Sequence, residues 1–132
     1  MSDEVRPDGE VPDGKLPVDL GQMFDLARAG AGLLLEFVDA GVPADYADQQ
    51  GNTLLMLAAY HGHADLVRGL AERGADVDRA NARGQAPLAG AVFKGADDVV
   101  AVLVAAGADP DAGSPSARET AQMFGRTLPE GA

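Results

Sequence analysis

A shift of thirty-three places lays Gly51 on Gly84, Leu55 on Leu88, Gly62 on Gly95, Leu70 on Leu103 and Gly74-Ala75-Asp76 on Gly107-Ala108-Asp109. Self-similarity at a fixed period of this size marks a repeat solenoid, in which each unit buries its apolar face only against its neighbours. Residues 48–80 hold the fullest copy, and the rest of the chain repeats, extends or closes it.

Within that copy the local signals agree with one another. Thr53 is placed to cap a helix, because its hydroxyl can satisfy a backbone group that the first turn leaves unpaired. Ala58 and Ala59 are small enough for neighbouring helices to approach closely. Gly62 ends the first helix, where a left-handed residue is often needed, and His63 opens the second. Leu66, Val67, Leu70 and Ala71 then make an inward stripe, Gly74 closes it, and Asp76 to Arg79 are expected to run outward as a finger.

The next copy places Val99, Val100, Leu103 and Val104 in the same stripe. Upstream, Met23, Leu26 and Ala27, then Leu33, Leu34, Phe37 and Val38, describe an incomplete first unit with one residue fewer between its helices. Downstream, a half unit runs from Ser114-Pro115-Ser116 to Gly125. The remaining stretch, Arg126 to Ala132, is too short and too rich in Pro129 and Gly131 for another helix.

Gly51, Thr53, Leu55, Ala58-Ala59, Gly62-His63, Leu70 and Gly74-Ala75-Asp76-Val77, followed by Pro87-Leu88, Ala91, Gly95, Leu103 and Gly107-Ala108-Asp109, resemble the ankyrin repeat family. The resemblance covers residues 20 to 126 or so. It implies an all-α solenoid of helix-turn-helix units, two full repeats flanked by partial capping repeats, and a protein-binding module with no chemistry of its own. The expected divisions are a disordered acidic arm over 1–18 and a repeat domain over 19–127, with a tail over 128–132. Within the domain they are an N-terminal cap repeat over 19–47, full repeats over 48–80 and 81–112, and a C-terminal half repeat over 113–127. The family's T-P-L-H histidine is replaced by Met56 and Ala89, so apolar packing by Met56 is expected in place of part of the usual bond network, with ordinary stability.

Composition narrows the function. Hydrophobic residues make up 46% but aromatics only 5%, which implies a core of Ala, Leu and Val between thin helix pairs, without a deep ligand cavity. With 21 acidic against 10 basic side chains, a net charge of -11 is repelled by phosphate backbones and anionic lipid heads, so neither nucleic acid nor membrane is an expected partner. No apolar run reaches a transmembrane length, and Met1 to Glu4 lacks the basic start of a signal peptide, so a cytoplasmic location is expected. Absence of cysteine removes disulfides, thiolate zinc sites and cysteine nucleophiles together. In the first eighteen residues Pro-Asp-Gly is turn chemistry, and too little is apolar to offset chain entropy.

His61 and His63, with Asp65 nearby, are the one cluster that looks like a metal site. Two residues apart they do not share a helix face, and no third strong ligand is evident, so the structural reading is preferred and no metal or cofactor is expected. Ser2, Ser114 and Ser116 lie in the arm or the capping turn, and the glycines sit at helix ends instead of in a phosphate loop. No catalytic residue is expected.

The resemblance places binding on the concave face, where the finger tips meet the exposed ends of the first helices. Read across repeats, the implied ladder is Arg28, Tyr60, Phe93 and Met123, flanked by His61 and Lys94. Its neighbours are Tyr46, Gln49, Gln50 and Asn52 in one finger and Arg79, Arg83 and Gln85 in the next. Aromatics and arginines dominate binding hot spots, which singles out Tyr60 and Phe93 and suggests a partner with an acidic or mixed surface. A monomer is expected. The rival readings are a metal-dependent or enzymatic accessory using His61 and His63, and a self-associating structural protein whose incompletely capped end stacks weakly on its twin.

Overall fold

The computed structural model describes residues 20–129 and Gly131, so the acidic arm expected over residues 1–18 lies outside the described residues. Seven helices form among the described residues: α1 (Gly21–Ala29), α2 (Leu33–Asp39), α3 (Leu54–Tyr60), α4 (Ala64–Glu72), α5 (Pro87–Lys94), α6 (Asp97–Ala105) and α7 (Ala117–Met123). None is long and apolar enough to cross a membrane.

Each helix is short, at seven to nine residues, and too short to persist alone. Their ends are nonetheless set locally. The Thr53 hydroxyl accepts from the Met56 amide at 3.0 Å and starts α3, as its placement implies. Ser116 starts α7 with a reciprocal capping box, its hydroxyl accepting from the Glu119 amide while the Glu119 carboxylate accepts from the Ser116 amide. Pro87 occupies the first turn of α5, where a missing N–H costs nothing.

The helices stack in two layers. One layer runs α1, α3, α5, α7, each packed on the next, and the other runs α2, α4, α6 behind it. Between the layers one core is continuous from Met23 and Leu34 through Leu55, Leu70, Leu88 and Leu103 to Ala117 and Ala121. Leu, Val and Ala supply almost all of it, so helix separation is small and packing is by interdigitated aliphatic side chains. Met56 is buried.

Polar ties between repeats lie chiefly in the loops. The Ala82 amide donates to the Gln50 carbonyl, and the Ser114 amide to the Gly84 carbonyl, both at 2.9 Å, so successive fingers are laced backbone to backbone. Asn81, almost buried, donates from Nδ2 to both Asn52 Oδ1 and Gln85 Oε1, while its own Oδ1 accepts from the Arg83 and Gln85 amides. At the base of the fingers the Asp76 amide donates to Asp45 and the Asp109 amide to Asp78, each at 2.7 Å. On the back layer Arg73 reaches Asp39 at 2.8 Å and holds that carboxyl below its usual range by hydrogen bonding. That exposed tie stands at neutral pH and is lost as pH falls through the lowered value.

The helix-helix turns hold a second set of ties, and one joint lacks it. His63 Nε2 donates to the Arg28 carbonyl at 2.7 Å across the first joint, and Arg126 Nη1 donates to the Val92 carbonyl at 2.8 Å across the last. Ala96 occupies the matching position at the middle joint and can make no such bond. Its backbone (φ -86°, ψ 81°) is nearly that of His63 (φ -97°, ψ 77°), so histidine fits there without strain. Ala96→His should therefore bond the Tyr60 carbonyl and raise the unfolding free energy by about 0.5–1.5 kcal/mol. Urea denaturation followed by circular dichroism reads this directly, and an unchanged midpoint would show that the joint gains nothing from the bond.

Candidate functional site

The inner layer presents its free side between the helix ends and the fingers, and there the large apolar side chains are exposed. Tyr60 is 39% exposed, Phe93 54%, Phe124 46% and Met123 64%, whereas Met56, Ala89 and Thr120, one turn before Tyr60, Phe93 and Phe124, are buried. Gly62 and Gly95 explain the placement, because each breaks its helix just after this row and leaves the preceding turn facing water.

These side chains are ordered by one another. Phe93 meets Phe124 edge to face with centroids 5.7 Å apart, a favoured geometry for the ring quadrupoles. Lys94 places its ammonium 4.6 Å from the Tyr60 ring centroid, and the Arg126 guanidinium sits 5.5 Å from that of Phe124. Tyr60, Gln85, Ala89, Gly90, Phe93, Pro115, Thr120, Met123 and Phe124 together enclose an open groove of about 280 Å³.

Its floor is apolar for a sequence reason. Ala89 and Gly90 stand where the preceding repeat carries Met56 and Leu57, and the lost side-chain volume becomes the hollow. Thr120 also contributes, but its hydroxyl donates to the Ser116 carbonyl at 2.8 Å and offers the groove no free proton. Gln85 Oε1 accepts from Asn81, which leaves its amide nitrogen, with the Tyr60 hydroxyl, as polar groups among the lining residues.

Of the residues singled out from the sequence, Tyr60, Phe93, Lys94, Gln85 and Met123 come together here. His61 lies beside them, its ring edge-on to Tyr60 at 5.7 Å and its Nδ1 donating to the Leu57 carbonyl at 2.9 Å. Arg79 and Arg83 are exposed on the second finger, and Gln49 and Gln50 at the tip of the first. Asn52 is half-buried and committed to Asp48 and Asn81. Tyr46 is also half-buried, stacked on Phe24 at 5.0 Å, and Arg28 is at the far end of the stack in an ion pair with Asp25. Neither belongs to the groove. Phe124, at the position that matches His61 and Lys94 and expected from its capping helix to tuck into the core, is instead exposed and lines the groove. The residues that the ladder omitted are Pro115, Thr120, Ala89 and Gly90, with Arg126 at the rim. The drop in side-chain size from Met56-Leu57 to Ala89-Gly90 was the signal available for two of them.

His61 and His63 each spend a ring nitrogen on a backbone carbonyl in different repeats, and among the described residues no three His, Asp or Glu side chains converge. A broader, open hollow between α4 and α6 is lined by five alanines and two valines, with Arg68, Glu72 and Asp98 among them.

Stacked helix pairs joined by loops, with an exposed row of large side chains along one layer, define a helical repeat protein. The chain belongs to the ankyrin repeat family: the pattern for ankyrin repeats in three copies matches residues 24–114. It is also 42% identical over 69 residues to the Pseudomonas aeruginosa ankyrin repeat protein PA3287, a match covering 52% of this chain and 39% of that protein. The fold is thus an all-α repeat solenoid, and repeats of this family are generally modules for protein-protein interaction.

Proposed function

We propose that the chain is a non-catalytic interaction module, an adaptor, inhibitor or scaffold, that holds a protein partner on its concave face, with residues 19–127 as the binding unit. The observation that carries this reading is the exposed row Tyr60, Phe93, Met123 and Phe124 around an apolar groove. Large apolar side chains left in water by an otherwise well-buried core signal a surface used for association. Aromatic anchors beside a pocket are also the residues on which binding energy concentrates. Because the stack is held rigidly by its core and laced fingers, little ordering entropy remains to be lost on binding.

The test is affinity capture with the intact chain and with a Tyr60→Ala, Phe93→Ala double variant, followed by mass spectrometry and titration of the partner found. Both side chains are exposed, so the variant should keep its circular dichroism spectrum. Its affinity should fall at least about 100-fold, as expected for two hot-spot aromatics. If both baits hold the same partner equally, the concave face is not the site.

A further inference from the structure

We infer that the groove recognises a linear protein segment in which an apolar or aromatic side chain is flanked by Asp or Glu. This rests on the reading of the concave face as the binding surface, and adds the chemistry of what enters it.

Size and shape favour such a segment. A volume of about 280 Å³ lies at the lower edge of small-molecule pockets. The groove is open and walled by Tyr60, Phe93 and Phe124, which suits one or two side chains projecting from a segment laid across it. Its floor offers no free side-chain hydrogen-bond donor, because Ala89 and Gly90 have none and the Thr120 hydroxyl proton is committed.

Charge favours carboxylates beside the apolar side chain. In a chain of net charge -11, carboxylates should claim the cations, and for half of the described ones they do: Arg28 pairs with Asp25, Arg68 with Asp65, Arg73 with Asp39 and Arg118 with Asp111. The other described cations, Arg79, Arg83, Lys94 and Arg126, have no carboxylate within 4.0 Å among the described residues. All four lie on the side of the fingers and first-helix ends. Lys94 and Arg126 rest on the faces of Tyr60 and Phe124, two of the three rings that border the groove. No carboxylate is among the nine groove-lining residues. An apolar hollow with cations at its rim that no described carboxylate neutralises is complementary to an apolar side chain with carboxylates beside it, and repels a basic segment. The four cations are too few, and the remaining acidic charge too large, for a polyphosphate chain to be the occupant.

The experiment pans a phage-displayed library of random twelve-residue peptides against the full chain, then measures enriched peptides by fluorescence anisotropy. The targets are the intact chain, Lys94→Gln, Lys94→Glu and the Tyr60→Ala, Phe93→Ala variant, with thermal melts to confirm folding. The expected result is enrichment of an apolar or aromatic residue with Asp or Glu within two positions. Binding should weaken several-fold in Lys94→Gln, about tenfold or more in Lys94→Glu, and further as salt is raised. Apolar peptides indifferent to flanking charge and to Lys94 would overturn the inference while leaving the concave face as the binding site. Peptides that bind the double aromatic variant equally well would overturn both. Failure to enrich any peptide would exclude recognition of a linear segment. A concentration-dependent dimer that Phe93→Ala dissolves would put a second copy of the chain on the groove and overturn the inference as well.

Discussion

Leu88→Ala should lower the unfolding free energy by about 3 kcal/mol, within the range for deleting a fully buried leucine side chain. Leu88 is 1% exposed and sits on α5, which packs against α3, α6 and α7 and so carries the contacts between the middle and last repeats. In a solenoid each repeat touches only its neighbours, so a cavity here weakens two interfaces at once and has no distant contacts to share the loss. A loss of that size is a large part of a typical domain's stability and should lower the melting temperature by roughly 12–24 °C. Thermal and urea denaturation monitored by far-ultraviolet circular dichroism measure it. A loss below about 1 kcal/mol, the ordinary size for an average substitution, would mean that α5 is not the centre of the core.

Gly51→Ala should cost about 2–3 kcal/mol, more than the backbone strain alone. Gly51 has φ +80°, a conformation that a side chain makes unfavourable, and a Cβ there would lie 3.0 Å from the Ala82 nitrogen of the next finger. That nitrogen donates the bond to the Gln50 carbonyl that laces the first two fingers. Gly84 provides the control, since it has nearly the same φ, +79°, but a Cβ there would meet nothing closer than the Ser114 carbonyl oxygen at 3.9 Å. Gly84→Ala should therefore show the strain alone, about 1–2 kcal/mol. The difference between the variants isolates the contact between fingers. Amide exchange at Ala82 should accelerate only in Gly51→Ala, and equal behaviour of the two variants would show that the finger contact contributes nothing.

Both predictions use positions whose role is partly legible in the sequence. Leu55, Leu88 and the glycine at the end of each first helix recur at fixed spacing because each repeat solves the same local problem, a short helix that must stop, turn and bury one stripe. The Thr53 cap is equally legible, since capping depends on residues three places apart. The polar lacing is not. Asn81 reaches Asn52 over a separation of 29 residues and Arg126 reaches the Val92 carbonyl over 34, distances at which spacing alone does not specify side-chain direction. The same gap explains Tyr46, whose position in a finger suggests a free aromatic but whose ring packs on Phe24.

The repeat period, helix order, capping residues and aliphatic core were determined by the sequence itself, because each follows from interactions within a unit or from one repeated between similar neighbours. The groove was decided only in three dimensions. Phe93 and Phe124 belong to different repeats, Lys94 reaches back to Tyr60, and the hollow between them exists because Ala89 and Gly90 leave volume that no adjacent side chain fills. Such a surface depends on how far successive helices are rotated and offset. That offset is the summed result of all the packing contacts between repeats, and no single residue or motif encodes it.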